Sequence, residues 1–163
     1  MNRTIQEMEE LDHLILIGCN LKLQSPVLNA RILKAVKHKG LTVHKIGPAE
    51  DLTYNYNHLG NTTDVVNDII CGRHKICEVL KNAKNFHFLI GSGMEETNPN
   101  VNALHKALKV YVQNLKSQQK VNGTVGILHQ FVGPINGHEL GMNFKSIEEI
   151  KDKKIVFNFG NDN

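Results

Sequence analysis

The fold is decided by the stretch "DHLILIGCNLKLQSPVLNAR", residues 12–31 of a chain of 163 residues. Its apolar run at 13–18 predicts a buried β-strand that ends at Gly18. A polar hairpin follows, and Ser25 and Pro26 then supply an N-cap and a first-turn proline for a helix. A strand, a glycine turn and a helix in this order are typical of α/β proteins that hold a ligand at the turn. The sequence therefore predicts the shape of a cofactor site and leaves open whether a ligand is still bound.

The same alternation of strands and helices continues along the whole chain. Helical patterns lie between the apolar runs, whereas the polar, Tyr- and Asn-rich residues 49–63 are predicted to form a loop. Strands that alternate with helices predict an α/β, doubly wound, mainly parallel sheet with helices on both faces, as in Rossmann-like folds. The predicted strands are 13–18, 41–47, 86–93, 124–130 and a last one within 153–163; the predicted helices follow Ser25, Thr62 or Thr63, residue 73 and residue 99, with a capping box at 146–149.

One domain is predicted from the length of the chain and from the absence of a linker composition. We expect an N-terminal extension at 1–12, a single α/β domain at 13–160 and a C-terminal tail at 161–163. Because the last predicted strand lies at the end of the sequence, we also expect the chain to be a segment of something larger.

The overall composition favours neither nucleic acid nor membrane as a partner. The net charge is only +3, and no apolar run approaches the roughly 18 residues that a membrane-spanning helix needs. Cys19, Cys71 and Cys77 form no CxxC pair and no zinc spacing, which indicates reduced thiols and no metal centre. We therefore expect no nucleic acid partner and no direct insertion into a membrane.

One segment has an uneven distribution of charge. No carboxylate occurs between Glu96 and Glu139, whereas four lysines do. Such a run is compatible with the solvated face of a helix or with a face that docks on an acidic protein neighbour. The lysines are Lys106, Lys109, Lys116 and Lys120.

The glycine-containing strand ends are the candidate ligand sites, because ligands bind at the carboxyl ends of parallel strands. Gly91-Ser92-Gly93 comes nearest to a dinucleotide fingerprint, but the third glycine is replaced by Met94-Glu95-Glu96, whose carboxylates would repel a pyrophosphate. A tight strand-to-helix turn is the better prediction there. Cys71 and Cys77 have no His or Asp partner in the sequence and are predicted to be buried thiols rather than nucleophiles.

The histidines show no metal-like or catalytic spacing in the sequence. Those at 44, 87 and 105 fall within predicted strands or helices and are expected to be packed or surface residues. Only His129 and His138, which flank a glycine-rich loop, form a pair worth testing for binding. The residues therefore predict no catalytic, no cofactor-binding and no metal-binding set in this chain.

Two strings carry a resemblance to a known family. "PVLNARI", residues 26–32, follows a strand that ends in Gly-x-Asn, and "DLTYNYNHLG" spans residues 51–60. Together they make the chain resemble the molybdopterin-oxidoreductase-type region of the large iron–sulfur (75 kDa) subunits of respiratory complex I, NADH:ubiquinone oxidoreductase. The resemblance extends over about residues 8–160 and is most convincing at 14–94.

The resemblance implies a structural part of a larger redox complex. Molybdenum enzymes of the superfamily hold a pterin dinucleotide at the strand ends, whereas the complex I subunits are similar in fold and carry iron–sulfur clusters in a cysteine-rich part that is missing here. We therefore expect no cofactor in this chain, with the clusters on a separate cluster-bearing piece of the same subunit. The implied partners are that piece and other complex I subunits, and the implied place is the matrix side of the mitochondrial inner membrane complex.

Two departures from the superfamily pattern weaken cofactor binding further. Leu21 stands where proline usually follows Gly-x-Asn, and Gly47-Pro48 lacks the usual Asp, which would contact a purine or ribose. Three hypotheses follow. The first is a non-catalytic subunit of complex I, and the second is a domain that binds a nucleotide or pterin dinucleotide at Gly18, Asn20, Gly47 and Gly91. The third is an independent enzyme that uses Cys19 or His129.

Overall fold

The computed structural model describes residues 3–97, 101–129, 140 and 155 of the chain. The chain divides into two units, residues 1–130 and 131–163, and the description that follows concerns the first unit. The predicted last strand, the capping box at 146–149 and His138 lie outside the described residues.

Five parallel strands form one sheet in the order β3-β2-β1-β4-β5. The chain adds strands to one side of β1 and then returns to add them to the other side, which confirms the predicted doubly wound α/β fold. The strands are β1 (His13–Ile17), β2 (Thr42–Ile46), β3 (Asn57–Gly60), β4 (Asn85–Ile90) and β5 (Asn122–Ile127). The helices are α1 (Ile5–Met8), α2 (Leu21–Gln24), α3 (Pro26–Lys39), α4 (Thr63–Ile70), α5 (Ile76–Asn82), α6 (Ser92–Thr97) and α7 (Val101–Gln118).

Helices cover both faces of the sheet, as the sequence predicts. Ile15 and Ile17 of β1 face a core that also contains apolar residues of α4, α5 and α7. Leu14 and Leu16 of the same strand face the opposite core, with apolar residues of α1, α2 and α3. Because β1 is buried on both faces, its sequence is a continuous apolar run rather than an alternation.

Three local predictions are wrong. The predicted loop at 49–63 contains β3, a short edge strand that pairs in parallel with β2. Its side chains are exposed or half-buried, so it lacks the apolar run by which strands are recognised. The predicted polar hairpin after Gly18 is instead the one-turn helix α2, whose N-cap Asn20 accepts a hydrogen bond from the Leu23 N–H at 3.3 Å. The strand predicted at 86–93 ends at Ile90, since α6 begins at Ser92.

The residues before β1 pack on the sheet and its helices. Met8 and Leu11 are buried, and the carboxylate of Glu9 pairs with Arg31 at 2.9 Å and with Lys34 at 3.0 Å, both on α3. At the other side, the Arg3 guanidinium donates to Thr124 Oγ1 of β5 at 2.6 Å. Residues 3–12 thus connect α3 to β5. The domain boundaries at 13 and 160 stay a prediction.

Two histidines are buried within the strands and make stability depend on pH. Burial lowers the pKa of His44 to about 4, with His13 nearby lowering it further, and lowers that of His87 to about 3. The unfolded chain, in which histidine titrates near 6.5, therefore binds more protons than the folded chain at pH 5. The free energy of unfolding must fall as the pH drops from about 6.5 towards 4.

We expect His87 alone to account for about 2 kcal/mol of the stability lost between pH 7 and pH 5. Urea unfolding across this range measures the slope directly. The variant His87→Gln should flatten the slope, whereas His38→Gln, at an exposed position near the end of α3, should not. An unchanged slope in His87→Gln would contradict the assignment of this pH dependence to His87.

Three carboxylates also make stability depend on pH. Hydrogen bonds lower the pKa values of Glu7, Glu9 and Asp51, so these groups contribute only at more acidic pH.

Candidate functional site

A cleft of about 530 Å³ lies at the carboxyl ends of β1 and β2. Its walls are the turn after β1, the end of β2, residues 61–63 at the start of α4, and Gly93 and Met94 after β4. Both the place and the volume are those of ligand sites in open α/β sheets. Gly18, Asn20 and Gly47, three of the residues considered for cofactor binding, line it.

At the point where the strand order reverses, the turns after β1 and β4 pack against each other and fill the space directly between them. The Gly91 N–H donates to the Ile17 carbonyl at 2.9 Å, and the Gly93 N–H donates to the Gly18 carbonyl at 3.1 Å. A Cβ placed on Gly18 would lie 2.5 Å from Met94 Cγ. Gly91, the fourth candidate, therefore packs against the turn after β1 and is not among the cleft residues.

Cys19 lines the cleft but is held as a structural thiol. Its Sγ donates to Gln24 Oε1 at 3.4 Å, and Gln24 Nε2 donates in turn to Ser92 Oγ at 2.8 Å. Burial raises the pKa of the Cys19 thiol to about 12, although the nearby Lys45 lowers it in part. Since the thiolate is the nucleophilic form, this cysteine has the opposite of the environment that activates a nucleophile.

Alkylation distinguishes the three cysteines. The prediction of a buried thiol is wrong for Cys71, which is exposed at the end of α4, and is confirmed for Cys77. Cys19 is buried as well, and Cys77 Sγ donates to the Ile69 carbonyl at 3.4 Å. Brief treatment of the folded protein with iodoacetamide at pH 8 is expected to modify Cys71 at least about tenfold faster than Cys19. Peptide mass spectrometry reads the result, and the unfolded protein in urea is the control in which all three react. Equal rates for Cys19 and Cys71 would restore the hypothesis of a nucleophile.

An ion pair between a buried lysine and a half-buried glutamate forms one wall of the cleft. Lys45 of β2 is fully buried, and its Nζ pairs with the carboxylate of Glu50. The Tyr56 hydroxyl donates to the Glu50 carbonyl at 2.8 Å and accepts from the Glu50 N–H at 2.9 Å. Lys45 is the one Lys or Arg among the described residues of the cleft, and its charge is balanced by Glu50.

The string at 51–60 holds the loop between β2 and β3 in place. Leu52 is buried, and Thr53, which has a positive φ of 69°, accepts a hydrogen bond from Asn29 Nδ2 of α3 at 3.2 Å. His58 Nε2 donates to the Gly47 carbonyl at 2.8 Å. The two strings that carry the family resemblance therefore contact each other, and their described contacts are structural.

The described residues do not fit a pterin dinucleotide well. Such a group brings a pyrophosphate, yet the cleft offers it no uncompensated cation, and the N–H groups of Gly93 and Met94 are already bonded to the chain. Leu21, in the usual place of proline, is fully buried as the first residue of α2. Within residues 3–97 and 101–129, no group of three or more His, Cys, Asp or Glu side chains could hold a metal ion. Sequence reasoning missed Lys45 and Glu50, although a lysine inside an apolar strand is a recognisable signal.

These features define a doubly wound α/β domain with a strand-end cleft and a filled switch point. The Molybdopterin oxidoreductase family matches residues 1–163, and the chain belongs to that family. It is 29% identical over 97% of its length to the NADH-ubiquinone oxidoreductase 75 kDa subunit of Reclinomonas americana. It is also 29% identical over 99% of its length to the NADH dehydrogenase [ubiquinone] iron-sulfur protein 1, mitochondrial, of Solanum tuberosum.

The chain spans less than a quarter of these relatives, 23% and 22% respectively. A bacterial relative, an NADH-quinone oxidoreductase subunit of Rickettsia typhi, is 30% identical over 87% of this chain. The chain covers 21% of that subunit. Among solved structures, the chain is similar to the formyltransferase/hydrolase complex from Methylorubrum extorquens in complex with methylofuran, with a TM-score of 0.54. The match covers 78% of this chain and 39% of the chain in that structure. At 14% identity this last match shows the fold alone.

Proposed function

We propose that this chain is a structural, non-catalytic part of the peripheral, matrix-facing arm of mitochondrial NADH:ubiquinone oxidoreductase. In that arm it supports the iron–sulfur chain that carries electrons from NADH to ubiquinone. The observation that carries the proposal is the similarity to 75 kDa subunits over 97% of the chain. The filled switch point and the unreactive Cys19 support a role without catalysis.

The proposal places the iron–sulfur clusters on residues that do not belong to this chain. A cluster of the common type needs four cysteine ligands, and this chain has three, of which Cys19 and Cys77 are buried at separate places in the fold. We place the clusters on a cluster-bearing piece of the same subunit. This piece and other complex I subunits are the proposed partners, and nucleic acid is not among them.

The proposed location is the matrix side of the mitochondrial inner membrane complex. The relative from Solanum tuberosum is named as mitochondrial. In the described part of the chain, no helix has both the length and the apolar character to cross a membrane. The proposal includes no direct insertion into the membrane.

Native isolation tests this function. Membranes are solubilised in mild detergent, complexes are separated on a native gel, and the chain is located by mass spectrometry. We expect it to migrate with subunits that carry flavin and iron–sulfur clusters and with NADH dehydrogenase activity. Migration as a free chain, or with an unrelated assembly, would contradict the proposal.

The second candidate is a domain that binds a nucleotide or pterin dinucleotide. The cleft of about 530 Å³ favours it, whereas the pairing of Lys45 with Glu50 opposes it. Denaturing the natively isolated protein and analysing the released small molecules separates the two candidates. A stoichiometric nucleotide or pterin that is lost on Gly47→Val would favour the second, and its absence from the intact complex would favour the first.

A further inference from the structure

Helix α7 and the turn after it carry a face of positive charge. The four lysines Lys106, Lys109, Lys116 and Lys120, here called the lysine stripe, are all exposed. Separations of three and seven residues keep Lys106, Lys109 and Lys116 on one side of the helix, and Lys120 lies in the turn two residues after its end. A separate side of α7 is buried in the core of the first unit; its residues are Val101, Leu104, Leu108, Val112 and Leu115.

The lysines of the stripe have no ion-pair partner among the described residues, whereas several basic residues on other elements do. The described ion pairs are Lys22–Asp51, Arg31, Lys34 and Lys39 with Glu9, Lys45–Glu50 and Arg73–Asp68. Four like charges on one helix face repel each other, so the face gains most from a partner of opposite charge.

Small uncharged side chains lie next to the stripe. Val110 is 55% exposed, and Ala103, Asn114 and Ser117 share its side of the helix at helical spacing. A partner can therefore approach the backbone of α7 closely on one side while its carboxylates reach the lysines on the other. An exposed apolar side chain such as Val110, bordered by charged groups, matches the usual composition of a protein–protein contact.

We propose that the exposed face of α7 binds an acidic surface of another protein, with the lysine stripe paired to its carboxylates and Val110 buried at the contact. The proposal rests on the proposed function in requiring that the chain is part of a larger assembly. It does not depend on which assembly that is.

Three other occupants fit the face less well. A nucleic acid is disfavoured because α7 presents neither arginine nor an exposed aromatic side chain. A lipid surface is disfavoured because Val110 is the one large apolar side chain that α7 exposes among the described residues, and the others are buried or half-buried. A second copy of this chain is disfavoured because most described carboxylates are engaged: Glu7 in a capping box, Glu9, Glu50, Asp51 and Asp68 in ion pairs, and Asp12 with two backbone N–H groups.

Lysine footprinting on the native complex tests the proposal. The intact complex is acetylated briefly with an amine-reactive ester, and the rate at each lysine is read by mass spectrometry. We expect the stripe to react about tenfold more slowly than Lys75 and Lys81, which are exposed on and beside α5. Equal rates would overturn the proposal even if the chain migrates with NADH dehydrogenase subunits.

Zero-length cross-linking then identifies the occupant. A reagent that joins amines to carboxylates should connect the stripe to Asp or Glu side chains of a second polypeptide. Protection without such links, removed by nuclease or by detergent, would overturn the proposal in favour of nucleic acid or lipid. Links to carboxylates in a complex other than NADH dehydrogenase would support the α7 contact while contradicting the proposed function.

A pair of charge-reversal variants provides the matched control. Lys109→Glu with Lys116→Glu is expected to reduce incorporation of the chain into its complex about tenfold. Lys75→Glu with Lys81→Glu changes the net charge equally and should incorporate as the wild type does. Similar incorporation of both variants would overturn the proposal. Soluble expression and circular dichroism of each variant separate a lost contact from a lost fold.

Discussion

Replacing Gly91 with alanine is expected to lower the free energy of unfolding by about 3 kcal/mol or more. A Cβ at this position would lie 2.6 Å from the Gly18 carbonyl oxygen and 2.7 Å from the Cys19 Cα. Both contacts are with backbone that is fixed by the pairing of β1 with β4, so neither side can move without breaking the sheet. Urea unfolding followed by circular dichroism gives the change in stability.

Gly40→Ala is the matched control for Gly91→Ala. Gly40 ends α3 with a φ of +74°, and a Cβ there would meet nothing within 4 Å. Its replacement therefore tests backbone strain without a clash and is expected to lower stability by about 1–2 kcal/mol. The packing of Gly91 against the turn after β1 would be refuted if Gly91→Ala were no less stable than Gly40→Ala.

Glu50→Gln is expected to lower the free energy of unfolding by about 3–5 kcal/mol. The substitution leaves the fully buried Lys45 without its partner, and removal of one member of a buried pair leaves a charge that is neither solvated nor compensated. Thermal and urea unfolding measure the loss.

Two further variants isolate the contribution of the buried charge. Asp51→Asn, at the next residue, removes an exposed ion pair with Lys22 and is expected to leave stability close to that of the wild type. The double variant Lys45→Met with Glu50→Gln removes the pair as a whole and should regain most of the loss. If the double variant were as unstable as Glu50→Gln, the loss would come from packing of the loop and not from the charge on Lys45.

Much of the sheet is predictable because its central strands are buried on both faces. The apolar runs of β1 and β4 have no other stable place than the inside of a parallel sheet. The edge strand β3 escapes prediction because backbone pairing with β2 defines it and its side chains face solvent. Helices α1 and α2 are single turns, too short for apolar periodicity, and their caps are their main sequence signal.

The candidate site is only partly predictable. The glycines at the strand ends locate the cleft, since a change of direction at the end of a buried strand has a recognisable sequence. The pairing of Lys45 with Glu50 depends on the loop after β2 folding back, with Tyr56 bonded to the Glu50 backbone, and no local pattern encodes that path. The closed switch point depends on the approach of Gly93 to Gly18, which are 75 residues apart in the sequence.

The position of β1 in the sheet also has a consequence during translation. Of the five strands of this sheet, β1 is translated before the other four, but it lies between β2 and β4. β4 begins at Asn85, about 70 residues after β1 ends, which at about 5–20 residues per second is a delay of roughly 4–14 s. During that delay one edge of an apolar strand has no native neighbour. The order of strands thus creates an interval in which a ribosome-associated chaperone can bind residues 13–17, and slower translation lengthens it.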